Sequence, residues 1–386
     1  MRIDISNPAS CCGCTACESV CTHKAIKMEA DHLGFFYPKI DDNLCVDCGL
    51  CKKVCKFQEG YIPVDSFNEP EIYGVRHTDE NELAKSQSGA AFWAFANHLL
   101  KEGYVIYGVG YGTDFYVKHK RVETIEKCQE LRGSKYAQSD LRGIYKEIKQ
   151  NLALGEKILF TGTPCQVAGL KSYLPKRLQT NLLTIDIVCH AVPSPKIWEK
   201  YVKWVEKKYK GKVVATNFRN KRFGWHSHNE TFLLEGVNEE IVRSTFRTLF
   251  YAHLSVRRSC ANCKFTNLKR PGDLTIGDFW GWEKHHLNWN DNKGVSLLLV
   301  NTEKGKSLFD KVNSTLLCSI RSNAYDCLQP QLTKPIKLNP KYEEFVDEFI
   351  KKGFKFVGRK YVVRWKFKVF FTKFKRSLKK IVDRLQ

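Results

Sequence analysis

Two stretches of the chain carry cysteines at a repeated interval. Residues 11–21, "CCGCTACESVC", place Cys11, Cys14, Cys17 and Cys21 at C-x2-C-x2-C-x3-C, and residues 45–55, "CVDCGLCKKVC", place Cys45, Cys48, Cys51 and Cys55 at the same spacing. Three thiolates on one tight loop can cap three irons of a cubane, and the last thiolate of the other motif caps the fourth. The spacing therefore predicts a 4Fe-4S cluster on Cys11, Cys14, Cys17 and Cys55, and a second on Cys45, Cys48, Cys51 and Cys21. Zinc ribbons would use pairs of C-x-x-C and leave the third and fourth cysteine of each set without a role.

This spacing is similar to that of the bacterial two-cluster ferredoxins, so residues 1–60 read as a small α+β dicluster domain. Proline often follows the last cysteine of such motifs; Thr22 and Lys56 stand there instead, a change in the turn more than in the ligation. Cys12 is an additional thiol outside both sets. The chain has 16 cysteines in all. Its opening, "MRIDISNPASCCGC", has no basic segment followed by an apolar one, so the expectation is a reducing cytoplasm in which thiols bind metal. No run approaches the roughly 18 to 20 apolar residues that span a bilayer.

A further pair, Cys260 and Cys263 in "CANCKFTNLKRPGDLTIGDFWG", supplies half of a four-ligand site. The elements upstream bear on the other half. "KILFTG", "TPCQVAGLKSYL" and "LLTIDIVCH" read as strand, helix and strand, a βαβ unit with parallel strands and a right-handed crossover. Cys165 falls in the first turn of that helix and Cys189 at the end of the second strand. Parallel strands end on one edge of a sheet, where ligands of open α/β sheets gather. Cys165 then has three readings at this point: a metal ligand, a small buried hydrophobe, or a nucleophile with His190 as its base.

The rest of the middle alternates in the same way. After a linker around "QEGYIPVDSFNEPE", "EIYGVRH" and "YVIYGVGY" read as strands, and "SGAAFWAFANHLLKEG" as a helix closed by Gly103. "LRGSKYAQSDLRGIYKEIKQNLALGE" reads as a Gly/Ser loop that leads into a helix.

Taken in order, "SQSGAAFWAFANHLL", "RGSKYAQSDL", "GTPCQVAGLKSYL", "VCHAVPSPKIWEKYVKWVE", "FRNKRFGW" and "CANCKFTNLKRPGDLTIGDFWG" resemble the family of coenzyme F420 hydrogenase/dehydrogenase beta subunits over about residues 70 to 320. The resemblance implies an α/β flavin-binding domain with a mixed sheet, divided here into residues 70–150 and 151–340, that binds FAD and a third 4Fe-4S cluster. Carried over, that cluster's ligands are Cys165, Cys189, Cys260 and Cys263. Cys12, Cys128, Cys318 and Cys327 remain as packing or surface thiols. The flavin candidates are Ser86, Gln87, Ser88 and Gly89; Gly133, Ser134, Lys135 and Tyr136; and Thr163. Backbone N–H groups at a helix start suit phosphate or carbonyl oxygens, and Lys135 would place positive charge near the flavin. Many relatives read S-G-G where this chain has Ser88, Gly89 and Ala90. Asp278 ends a strand near the cluster. Phe279, Trp280 and Trp282 either shield a cofactor or pack the core, and His226 and His228 are either proton donors or residues of an exposed loop.

The net charge of +22 lies mostly in the last 36 residues, where 14 Lys/Arg face the single acid Asp383. A nucleic-acid partner is therefore not expected. In residues 351–386, Phe367, Phe370, Phe371, Phe374, Leu378, Ile381, Val382 and Leu385 form one stripe, and Lys368, Lys373, Lys375, Arg376, Lys379 and Lys380 lie off it. Such a basic amphipathic helix lies on an anionic membrane surface, here the inner face, or packs on its own domain. The functional expectation is an iron–sulfur flavoprotein oxidoreductase, fed by ferredoxin or a similar redox partner, acting on a two-electron substrate such as coenzyme F420 or an envelope polysaccharide precursor. A subunit that only passes electrons to a partner enzyme, or a domain without flavin, are the alternatives.

Overall fold

A computed structural model describes residues 2–63 and 65–362 of the chain. Its strands, in chain order, are β1 (Ile26–Ala30), β2 (Phe36–Ile40), β3 (Glu71–His77), β4 (Val105–Tyr111), β5 (Val117–Val122), β6 (Ile158–Gly162), β7 (Leu182–Ile187), β8 (Val213–Asn217), β9 (Glu230–Leu234), β10 (Ile241–Arg243), β11 (Leu274–Asp278), β12 (Ser296–Val300) and β13 (Leu317–Arg321).

The two cysteine motifs flank a single hairpin, in which β1 pairs antiparallel with β2 from Ile26 opposite Ile40 to Ala30 opposite Phe36. Short helices, Ala16–Val20 and Leu50–Val54, begin inside each motif. The residue before each helix is left-handed, Thr15 at φ +67° and Gly49 at φ +77°, so the two loops turn in the same way after their second cysteine.

The apolar runs of the middle region form an eight-stranded mixed sheet in the order β13-β3-β12-β11-β7-β6-β4-β5. Its centre is parallel, β4 to β6 to β7 to β11, and its flanks are antiparallel. Runs such as "ILFTG" and "SLLLV" are buried along their whole length, as strands covered on both faces must be. Alternate residues serve opposite cores: Leu159 joins Phe95, Phe309 and Leu298 on one face, while Ile158 and Phe160 join Tyr145, Val167 and Leu170 on the other. Ala16 and Val54 of the dicluster region complete the second core.

Two boundaries differ from the sequence-based reading. The helix expected from Ser88 begins at Ala91, because Ser88 and Ala90 are left-handed at φ +50° and +65°. β7 ends at Ile187, so Cys189 lies on the loop beyond it.

A third layer was not legible as such. β8, β9 and β10 form a small antiparallel sheet, and Trp198 and Tyr201 of the helix Pro195–Tyr209 pack on Phe232 and Phe246. Residues 342–362 are helical and add Phe345, Phe349, Phe354, Val357 and Tyr361 to this core. The beginning of the basic tail therefore packs on its own domain, whereas its amphipathic stripe from Phe367 onward lies outside the described residues.

Besides the apolar packing in these cores, the dicluster region is joined to the rest through backbone carbonyls. Leu33 O accepts from Ser194 Oγ at 2.5 Å and from Lys196 N at 3.1 Å, and Cys12 O accepts from Gln138 Nε2 at 2.9 Å. Among the described residues no helix is long and apolar enough to cross a membrane.

Candidate functional site

The carboxyl ends of β4, β6, β7 and β11 lie on one edge of the sheet, and the chain's chemistry collects there. Thr163 caps the helix Pro164–Tyr173, with its N–H donating to Gln166 Oε1 at 2.8 Å and its Oγ1 3.2 Å from Cys165 Sγ. Across the edge, Arg257 N donates to Val192 O at 2.9 Å, and Val192 N donates to Cys260 Sγ at 3.5 Å. These bonds bring the segment 257–263 against the loop after β7.

Cys165, Cys189, Cys260 and Cys263 thus share one neighbourhood. The charges of Cys260, Cys165 and Cys263 all bear on Cys189, whose thiol burial pushes well up. Burial likewise pushes Cys260 to about 12 and Cys263 to about 11. Cys165 is held down at about 7, first by a hydrogen bond from Cys12 and then by Thr163.

The other two sets are also gathered. Burial and the charges of Cys14, Cys11 and Cys55 raise Cys17, so the crossed set expected from the spacing does come together. Cys21, Cys45, Cys48 and Cys51 line a separate small cavity of about 20 Å³, with Cys48 exposed. Among the described residues no three His, Cys, Asp or Glu side chains converge on a single ion. Thiolates that each bind a different corner of a multi-iron cube need no such convergence, and an all-thiol donor set suits iron–sulfur chemistry.

Cys12, set aside on spacing alone, lies between two of these sets. It is buried and hydrogen-bonded to the thiols of both Cys14 and Cys165, within an apolar cluster of Phe57, Ala168 and Phe265. Cys128 and Cys327 are core residues and Cys318 is exposed.

Beside the third set lies a cavity of about 280 Å³. Ser86, Ser88, Ser134, Lys135, Tyr136 and Thr163 line it, and so does Cys189. The helix Ala91–Lys101 opens onto it with no side-chain cap, which leaves N–H groups for a ligand oxygen. Several of the candidate side chains already have protein partners. Ser88 Oγ donates to Val295 O at 2.7 Å, and Ser86 Oγ accepts from Arg132 Nη2 at 2.6 Å. Lys135 Nζ donates to Glu130 O and Arg132 O, and burial pushes it down to about 7, so it is a fixed positive charge only at lower pH. Gly89 does not line the cavity. A Cβ there would lie 2.0 Å from Val75 O and 2.6 Å from Ser296 N, so the glycine serves close packing on the sheet.

Arg132, Ser139, Gln166 and Phe250 were missed as wall residues. Arg132 stands beside the "GSK" loop and stacks over Trp93 at 4.2 Å, which only the fold reveals. Asp278 also lines the cavity, and its carboxylate binds Arg219 and Trp225 Nε1. Phe279 and Trp282 are core residues, while Trp280 stacks on Trp225. His226 is exposed and His228 is bonded to Tyr251; neither lines the cavity, and burial pushes His228 down to about 4. His190 faces His253 at 2.8 Å and Gln331 at 2.8 Å, which gives a nucleophilic Cys165 no base.

A dicluster unit on a mixed α/β sheet with thiols at its carboxyl edge points to an iron–sulfur protein. Residues 10–58 match the 4Fe-4S dicluster domain family, and residues 155–323 match the family described as the C terminus of the coenzyme F420 hydrogenase/dehydrogenase beta subunit. The chain thus carries a segment similar to each of these two families, the dicluster segment in front. It is 21% identical over 188 residues to a subunit of the F(420)H(2) dehydrogenase of Methanosarcina mazei, a match that covers 46% of this chain and 53% of the relative. The chain thus spans about half the length of that curated relative. It is also similar to a chain of the F420-reducing nickel–iron hydrogenase complex from Methanosarcina barkeri, at 17% identity and a TM-score of 0.45, covering 78% of this chain and 94% of that one.

Proposed function

We propose that this protein is an iron–sulfur flavoprotein oxidoreductase that passes electrons between 4Fe-4S clusters and FAD and acts on a two-electron substrate. The observation that carries this reading is the double position of Cys189, which belongs to the third thiol set and to the wall of the neighbouring cavity. Bound FAD would supply exchange of electrons in pairs or singly, and the clusters would supply single-electron transfer.

The residues have separate tasks. Cys11, Cys14, Cys17 and Cys55 would hold one cluster, Cys45, Cys48, Cys51 and Cys21 a second, and Cys165, Cys189, Cys260 and Cys263 a third. The uncapped start of the helix Ala91–Lys101, with Ser134 and Thr163, would hold the flavin's polar groups. Leu131, Val109 and Phe250 give the same cavity an apolar wall against which a flavin ring would pack. Coenzyme F420, after which the matched family and the Methanosarcina mazei relative are named, is the first substrate to test, and an envelope polysaccharide precursor is the second.

Anaerobic purification followed by denaturation tests the flavin directly. The expected result is one FAD released per chain; a chain that binds iron and releases no flavin would overturn the reading.

A second reading is an electron-transfer subunit that feeds a partner enzyme. It draws support from Cys48, which is exposed beside the exposed Leu44, Val46 and Leu50, a surface suited to a ferredoxin-like donor or acceptor. Substrate turnover by the isolated chain would exclude it. The basic segment 351–386 supports peripheral contact with an anionic membrane. Sedimentation with anionic vesicles at low salt should be lost when residues 363–386 are removed.

A further inference from the structure

Four arginines are buried among the described residues: Arg76, Arg219, Arg257 and Arg270. Three of them face a carboxylate, Asp291 at 2.7 Å, Asp278 at 2.6 Å and Asp186 at 2.7 Å respectively. Arg257 does not, although it is 0% exposed. Its Nε donates to Cys11 O at 2.8 Å, Nη1 to Gln138 Oε1 at 2.9 Å, and Nη2 to Phe36 O at 2.9 Å. Nη2 also reaches Cys11 Sγ at 3.5 Å, and the ring of Tyr37 lies 4.1 Å from the guanidinium carbon.

Neutral partners satisfy the N–H groups but not the charge. An arginine cannot lose its proton to escape burial, and a buried charge without a counter-charge is costly. The fold has made room for this one. Gly13 is left-handed at φ +72°, and a Cβ there would lie 2.8 Å from Arg257 Nη1. Gln138 holds Arg257 with its carbonyl and Cys12 O with its amide, so the guanidinium and the first cysteine loop are fixed together. Asp31 acts on it through charge alone, without contact, so the candidate anion in direct reach is the thiolate set that begins at Cys11.

We propose that Arg257 is the built-in counter-charge of the cluster on Cys11, Cys14, Cys17 and Cys55, and that it raises that cluster's reduction potential. The proposal rests on the ligand set given above. The couple is one electron added to the cluster, with no bond made or broken. A fixed positive charge in a dry site stabilises the more negative, reduced form, and N–H contacts to cluster sulfur act in the same direction.

The test compares the full-length chain with Arg257→Met and Arg257→Lys, each assayed for iron and sulfide and then titrated with dithionite under electron paramagnetic resonance. In Arg257→Met the reduction equilibrium of one cluster should fall about tenfold or more, each tenfold being about 59 mV for one electron. Arg257→Lys, which keeps the charge, should stay within about threefold of the parent. Unchanged potentials in Arg257→Met, or equal shifts in both variants, would overturn the proposal. Loss of one cluster's iron from Arg257→Met alone supports it, and loss from both variants assigns the residue to folding and overturns it. Cys14→Ala tests the ligand set separately, since unchanged iron in that variant would remove the set whatever Arg257 does.

Discussion

Arg219 Nη1 donates to Asp278 Oδ2 at 2.6 Å on the wall of the cavity, and the same carboxylate accepts from Trp225 Nε1 at 2.7 Å. Arg219 Nη2 closes the triangle by donating to Trp225 O at 2.9 Å. Removing one member of a buried pair strands the other, which costs about 3 to 5 kcal/mol. Asp278→Ala should therefore lower the denaturation free energy by about that amount, and adding Arg219→Met should restore part of it. A loss below about 1 kcal/mol in the single variant would show that the pair is solvated.

The third thiol set can be counted by metal analysis. With three 4Fe-4S clusters, Cys263→Ala should lose about a third of the iron while the two N-terminal clusters stay reducible. Unchanged iron would remove Cys263 from the ligand set.

Glu230 is buried at the start of β9, where Tyr201 donates to it at 2.8 Å and Arg247 N donates to its other oxygen. Burial pushes its carboxyl up from 4.5 to about 7. Between those values the folded chain holds more protons than the unfolded one, so stability falls as pH rises through this window. Glu230→Gln removes that titration. Urea midpoints should show the variant gaining on the parent from pH 5 to pH 8; a constant difference would mean that the carboxyl titrates normally.

Phe354 anchors the start of the basic tail, packing against Tyr201 at 5.1 Å and Trp204 at 5.9 Å between ring centroids. Phe354→Ala should cost about 3 to 5 kcal/mol as a core aromatic truncation. An effect within about 0.5 kcal/mol, measured by chemical denaturation, would show that the helix is not docked there in solution.

The parts legible in the sequence were those with a strong local signal. The cysteine spacing paired Cys55 with the first motif, and the buried runs around "TGTPCQ" placed Cys165 and Cys189 on one sheet edge. Positions set by tertiary contacts were harder to read. Cys12 was set aside because it breaks the spacing, yet it lies between Cys14 and Cys165. Gly89 looked like part of a phosphate loop because glycine before a helix does both jobs, and only the neighbouring Val75 and Ser296 reveal which one it does here. The strands of the small sheet gave no long apolar run: β8, "VVATN", is half exposed, β9, "ETFLL", is buried but opens on the polar Glu230 and Thr231, and β10 has three residues.

The seam between the dicluster region and the sheet domain has a consequence for how the chain can vary. Leu33, Phe36, Cys11 and Cys12 all contribute main-chain oxygens to it, and the reaching side chains, Ser194, Gln138 and Arg257, come from the other side. Main-chain acceptors survive almost any replacement of their own side chain. Variation is therefore confined by packing rather than by these hydrogen bonds: Ala16, Val54, Leu33 and Phe35 sit in cores shared with the sheet domain and Gly13 has no room for a Cβ, whereas side chains on the outer surface of the dicluster region can change without loosening the seam.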